Sequence, residues 1–144
     1  MVAVVLVGHG SRLPYSRQVV EKIAEYVEKM GDFETVEVGF MEMCEPTVQE
    51  AVKRAAESGV DKIVVVPVFL AHGVHTKRDI PKMLGLEPEW DYDEDEDHHH
   101  HHHHHRDYTP VDVDAEIVYA EPLGADPRIA KIVIDRIKEA LGEG

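Results

Sequence analysis

Three of the eleven histidines in this 144-residue chain fall in glycine-bearing segments directly after apolar runs. His9 lies in VLVGHGSR, and His72 and His75 lie in VPVFLAHGVH. A neutral imidazole can bind a divalent ion through nitrogen, and it accepts a proton near neutral pH. Gly8 and Gly10 remove side-chain crowding around His9, so its ring can face a ligand. His72 and His75 would share a face on a helix. After Pro67 and around Gly73, however, the pair reads as a loop in which the two rings can point apart. Nitrogen ligands suit Co²⁺, Ni²⁺, Fe²⁺ and Zn²⁺ and do not choose among them.

Carboxylates come next. Glu42 and Glu45 flank Cys44 in MEMCEP. An acid beside a histidine can hold a proton or orient a ligand; the ordinary alternative for each is a solvated loop acid. Cys44 is the only cysteine, which excludes an internal disulfide and an Fe–S cluster held by this chain alone. It reads as a buried, inert thiol. Arg12, Lys77 and Arg78 are the cations at hand for an anionic substrate. Gly-His-Gly also resembles the Arg-His-Gly opening of histidine phosphatases, but Gly8 holds the arginine's place, so phosphoryl transfer is set aside.

Eight consecutive histidines, His98, His99, His100, His101, His102, His103, His104 and His105, follow the acidic run Asp91–Asp97. An expression tag would sit at a terminus. The interior position and acidic flank favour a native insertion that binds divalent ions loosely and concentrates them.

The elements that must position these groups follow from periodicity. Val2–Val7, Val36–Phe40, Lys62–Val66 and Ala115–Tyr119 are strand runs, the first and third apolar enough to be buried on both faces. Pro67 cannot donate to a sheet ladder and should end the third. Between them, helices are expected over Leu13–Met30, from Thr47 to about Ser58 and over Lys77–Leu84, with a closing amphipathic helix after Asp126 and Pro127. Thr47 and Glu50 have capping-box spacing. Gly85–Pro110, acidic and His-rich without apolar period, reads as a mobile surface loop. The order βαβαβαβα with right-handed crossovers gives an α/β fold, a three-layer doubly wound, four-stranded parallel sheet of flavodoxin-like type. Residues 1–144 form one domain, and all four strand ends, with His9, Glu42 and Glu45, His75 and Glu121, reach one edge, where such sheets bind ligands.

Composition sets limits. A net charge of −14 argues against a nucleic-acid partner. No apolar run approaches membrane-spanning length, and MVAVVLVGHG reads as a strand and not a signal peptide, so a cytoplasmic protein is expected. There is no Gly-x-Gly-x-x-Gly or Walker motif, and no Ser/Thr/Gly-rich phosphate cradle after Val7, which weakens the reading as a phosphate or nucleotide binder.

Taken together, Val5–Arg12 (VLVGHGSR), Phe40–Pro46 (FMEMCEP) and Val66–His75 (VPVFLAHGVH) resemble the three motifs of the small, single-domain sirohydrochlorin chelatases of the CbiX type. The resemblance spans nearly the whole chain outside Gly85–Pro110, and a His-rich insertion before the last strand is known in some members. It implies a sirohydrochlorin cobaltochelatase, with Co²⁺ inserted on the anaerobic cobalamin route and Ni²⁺ in some relatives. The ion is then a substrate, and no tightly bound cofactor is expected. By the same resemblance His9 is proton acceptor and metal ligand, and His75 is the second metal ligand. Glu45 and the segment Leu70, Ala71, His72, Gly73, Val74 and His75 contact the macrocycle. Arg12, Glu42 and Arg78 are further candidates. A homodimer or homotetramer is implied, because larger relatives carry two such domains. The competing reading is a non-catalytic metal store or delivery protein whose functional part is the His tract.

Overall fold

The computed structural model describes residues 1–90 and 107–143. The tract His98–His105 and the acidic run before it lie outside the described residues.

Four parallel strands form the sheet: β1 (Val2–Gly8), β2 (Thr35–Phe40), β3 (Lys62–Pro67) and β4 (Glu116–Tyr119). Their order is β2-β1-β3-β4, the strand order of a flavodoxin-like doubly wound sheet. β1 is central and nearly wholly apolar, as burial on both faces requires. Its alternate residues serve two cores. Ala3, Val5 and Val7 face α2 (Val48–Glu57) and α3 (Ile80–Met83), meeting Val48, Ala51, Val52, Ile80 and Met83. Val4 and Leu6 face α1 (Tyr15–Met30), meeting Val20 and Ala24.

Local sequence explains the boundaries. β3 ends at Pro67, which lacks a ladder donor. The Thr47 hydroxyl accepts from the Glu50 amide at 3.0 Å, while the Thr47 amide donates to the Glu50 carboxylate at 2.8 Å, closing the expected capping box.

Three features depart from the sequence reading. The helix expected over Lys77–Leu84 begins instead as a π-turn, His75–Asp79, whose i,i+5 bond runs from the Ile80 amide to the His75 carbonyl, and only then continues as α3. Both described rims of Gly85–Pro110 are packed. The Leu86 and Glu89 amides donate to the Pro81 and Lys77 carbonyls, and Gln49 donates to the carbonyls of Asp107 and Thr109. Tyr108 and Val111 lie against the α2 core. The apolar pattern of the sequence could not reveal this, because the rim is held by backbone and amide bonds.

The third departure concerns α4 (Pro127–Ala140). Its N-cap is Asp126, as expected, accepting from the Arg128 amide. Yet none of its residues is buried, and Ile132 and Val133 are about half exposed. On α1's side of the sheet, Val64, Val66 and Val68 of β3 and its extension are left lining an apolar trough of about 310 Å³ with Ile23, Val27 and Leu123. The final helix is amphipathic, but it does not close the sheet of its own chain.

Candidate metal centre

The centre is built where β1, β2 and β3 run out. The ladder between β1 and β2 continues past their ends through Met41 N–H to Gly8 O (3.0 Å) and Glu42 N–H to His9 O (3.1 Å). This registers Glu42 beside His9. On the other side, Val68 N–H donates to Val7 O, carrying β3 forward into Phe69 and the segment that ends at His75. Gly10 makes the crossing between His9 and Glu42 tight: its φ is +95°, and a Cβ there would lie 1.8 Å from the Glu42 carbonyl oxygen. Only glycine fits.

His9, Glu42 and His75 come together, each offering a ligand atom within 4.8 Å of the others'. His9 Nε2 lies 3.3 Å from Glu42 Oε2, and the His9 and His75 ring centroids are 5.0 Å apart. Phe69 buttresses both rings edge-on, at 6.3 Å from His9 and 6.5 Å from His75. The two edges of His9 face acceptors only: Nδ1 lies 3.2 Å from Gly10 O and Nε2 faces the carboxylate. With Nδ1 as donor, the gap between Nε2 and Glu42 calls for a proton or a cation. Either one satisfies both lone pairs.

His75 is held differently. Its Nδ1 lies 2.8 Å from Oδ2 of buried Asp79, whose Oδ1 accepts from Arg78 Nε at 2.8 Å. Burial pushes the Asp79 carboxyl up, but hydrogen bonds from His75 and Arg78 outweigh it and hold the group below its ordinary value. Tyr108 lies on the same carboxylate; burial, then the nearby Asp79 charge, pushes its phenol up to about 12.

The other sequence candidates take separate places. Glu45 is exposed and lies outside the three-residue cluster, so Glu42 is the loop carboxylate at the histidines. His72 points away, as the loop reading allowed: Nε2 lies 2.9 Å from Glu121 Oε1 and Nδ1 lies 2.9 Å from Thr76 Oγ1. Leu70, Ala71, Gly73 and Val74 are exposed along the same edge, Leu70 at 64%. Lys77 is paired with Glu89, and Arg78 turns inward to Asp79 with its guanidinium 5.7 Å over the Trp90 ring. Arg12 is exposed and makes no ion pair among the described residues. Asp79, Phe69 and Tyr108 were not found from the sequence. The i,i+4 spacing of His75 and Asp79 was the available signal, hidden beside Lys77 and Arg78, which read as cations for an anionic substrate.

The family model described as CbiX matches residues 3–140, all three strand-end loops included. The chain belongs to the CbiX family. Among its CbiX relatives, the sirohydrochlorin cobaltochelatase of Methanopyrus kandleri is 95% identical over 143 residues, covering 99% of each chain. That of Methanocaldococcus jannaschii is 60% identical over 139 residues, covering 94% of this chain and 97% of the relative. Among solved structures, the sirohydrochlorin chelatase SirB of Bacillus subtilis subspecies spizizenii, in complex with cobalt, superposes with a TM-score of 0.72 at 25% identity. The match covers 96% of this chain and 50% of SirB, so the chain spans half of SirB's length. A cobalamin-biosynthesis CbiX protein from Marinobacter aquaeolei superposes over the full length of both chains, with a TM-score of 0.65 at 28% identity. No helix among the described residues is long and apolar enough to cross a membrane.

Proposed function

We propose that this protein inserts Co²⁺ into sirohydrochlorin, with His9, Glu42 and His75 as its metal centre. The observation that carries the reading is the gathering of these three ligands on the open carboxyl edge, in a chain 95% identical to a named cobaltochelatase.

Metallation must remove protons from the pyrrole nitrogens while a divalent ion enters the same plane. Three protein ligands leave coordination positions open toward the macrocycle, as a transfer site needs. Imidazole nitrogens hold the ion less firmly than four converging ring nitrogens, so the ion passes on. His9, with Glu42 behind Nε2, is the acceptor for a departing proton, because that gap is satisfied equally by a proton or a metal. The exposed segment Leu70, Ala71, His72, Gly73 and Val74 offers the flat ring an apolar lip beside the ligands. Glu45 contacts the ring from the other side of Glu42. Arg12 is the cation left for its carboxylates, since Lys77 and Arg78 already face Glu89 and Asp79. Ni²⁺ fits the same nitrogen and oxygen donors and is a second substrate ion. The protein works in the cytoplasm without a tightly bound cofactor. It acts as a homo-oligomer, dimer or tetramer; the bare apolar face of α4 and the open sheet trough support this.

Anaerobic metallation of sirohydrochlorin, followed by absorbance with Co²⁺, Ni²⁺ and Fe²⁺ in turn, tests the reading. Turnover is expected for wild type and for a deletion of residues 98–105 when metal is plentiful. It should vanish in His9→Ala and His75→Ala. No turnover above the spontaneous rate in wild type, with several ions bound per chain, would instead identify a metal store.

A further inference from the structure

The two histidines of the centre are backed unequally. His9 has a backbone carbonyl, that of Gly10, at 3.2 Å from its outer nitrogen. His75 has a full carboxylate at 2.8 Å, and that carboxylate is 1% exposed. Asp79 is one of two buried polar or charged residues among those described. A buried charge persists only when its lone pairs are filled. Here the donors are His75 Nδ1, Arg78 Nε and the Tyr108 hydroxyl.

We propose that Asp79 is a positioning residue for His75: held by Arg78 and Tyr108, it fixes the proton on His75 Nδ1 and turns the Nε2 lone pair toward His9 and Glu42. The proposal rests on the reading of His75 as a ligand and adds a division of labour. A carboxylate-backed imidazole is a more basic and better-oriented ligand than one backed by a carbonyl. His75 therefore holds the ion in place, while His9, on its weaker carbonyl anchor, is the one whose Nε2 edge, facing Glu42, exchanges proton for metal. The π-turn has a role here as well: it brings Asp79 under the ring while sending Ile80 and Met83 into the core, so the carboxylate moves only if the core does. Arg78, which from sequence reads as a contact for substrate carboxylates, acts instead through Asp79.

Two measurements on the full chain test this. The first is the nitrogen-15 spectrum of the His75 ring in the metal-free wild type, where the Nδ1–H tautomer is expected. An Nε2–H tautomer would overturn the proposal without any variant having to fold. The second is Co²⁺ affinity from the visible spectrum, with Co²⁺ alone as probe, for wild type, His75→Ala, Asp79→Asn and Tyr108→Phe. Asparagine keeps the shape but replaces one acceptor oxygen with a donor, so a loss of about 10–100-fold in affinity is expected. Tyr108→Phe should give a smaller loss, with a mixed tautomer. If His75→Ala leaves Co²⁺ affinity unchanged, the assignment of the centre fails. If His75→Ala weakens binding while Asp79→Asn keeps both affinity and tautomer, the positioning role of Asp79 fails alone.

Discussion

Gly10 governs the separation of His9 and Glu42 more directly than either side chain does. A methyl group there would collide with the Glu42 carbonyl in a backbone conformation that favours glycine. Gly10→Ala is therefore expected to cost about 1–3 kcal/mol of stability and, by displacing Glu42, at least as much Co²⁺ affinity as Glu42→Gln. Urea unfolding and Co²⁺ titration read the two effects separately. His72→Ala makes the opposite prediction: because its ring is spent on Thr76 and Glu121, Co²⁺ affinity should stay within about twofold of wild type. Tyr108 gives a pH signature. Its folded pKa, about 12, stands above the ordinary 10.0, so its contribution to stability is complete below pH 10 and is lost as pH rises toward 12. Tyr108→Phe should flatten that alkaline limb in denaturation curves measured from pH 8 to 12.

At the level of elements, what was legible in the sequence was whatever periodicity and capping control. The apolar runs of β1 and β3, the Pro67 stop and the Thr47–Glu50 box each state a local preference that the packed structure keeps. Thr47→Ala should cost about 1 kcal/mol by thermal or urea unfolding, with the metal centre intact, because α2 begins beyond it. The π-turn was not legible. His75–Asp79 carries no glycine or proline, and its extra residue goes with the burial of both Asp79 and Ile80, a tertiary effect no local pattern states. The site was legible in part for the same reason. Glycine-flanked histidines at strand ends announce themselves, whereas choosing Glu42 over Glu45 depended on ladder bonds continuing one residue past β1 and two past β2.

For the whole molecule, α4 is the amphipathic helix that periodicity predicts, and its apolar face is left open among the described residues. Periodicity reports that a face is apolar; it does not say which copy of the chain that face meets. Ile132, Val133 and Ile137 are about half exposed, and the trough over β3 is likewise apolar and open among the described residues. Ile132→Lys combined with Ile137→Lys should lower the mass measured by light scattering to that of one chain and lower the melting temperature; an unchanged mass would place the contact between copies elsewhere.

The clamped rims of the acidic, His-rich segment have a consequence of another kind. Lys77 grips Glu89 on one side, and Gln49 grips Asp107 and Thr109 on the other, so both described flanks are anchored to the fold. As a general rule, the free energy of joining two anchored points grows only as the logarithm of the number of residues between them, about 0.6 kcal/mol per doubling. Doubling or halving the number of residues between those rims is thus expected to shift the free energy of unfolding by only about 0.6 kcal/mol.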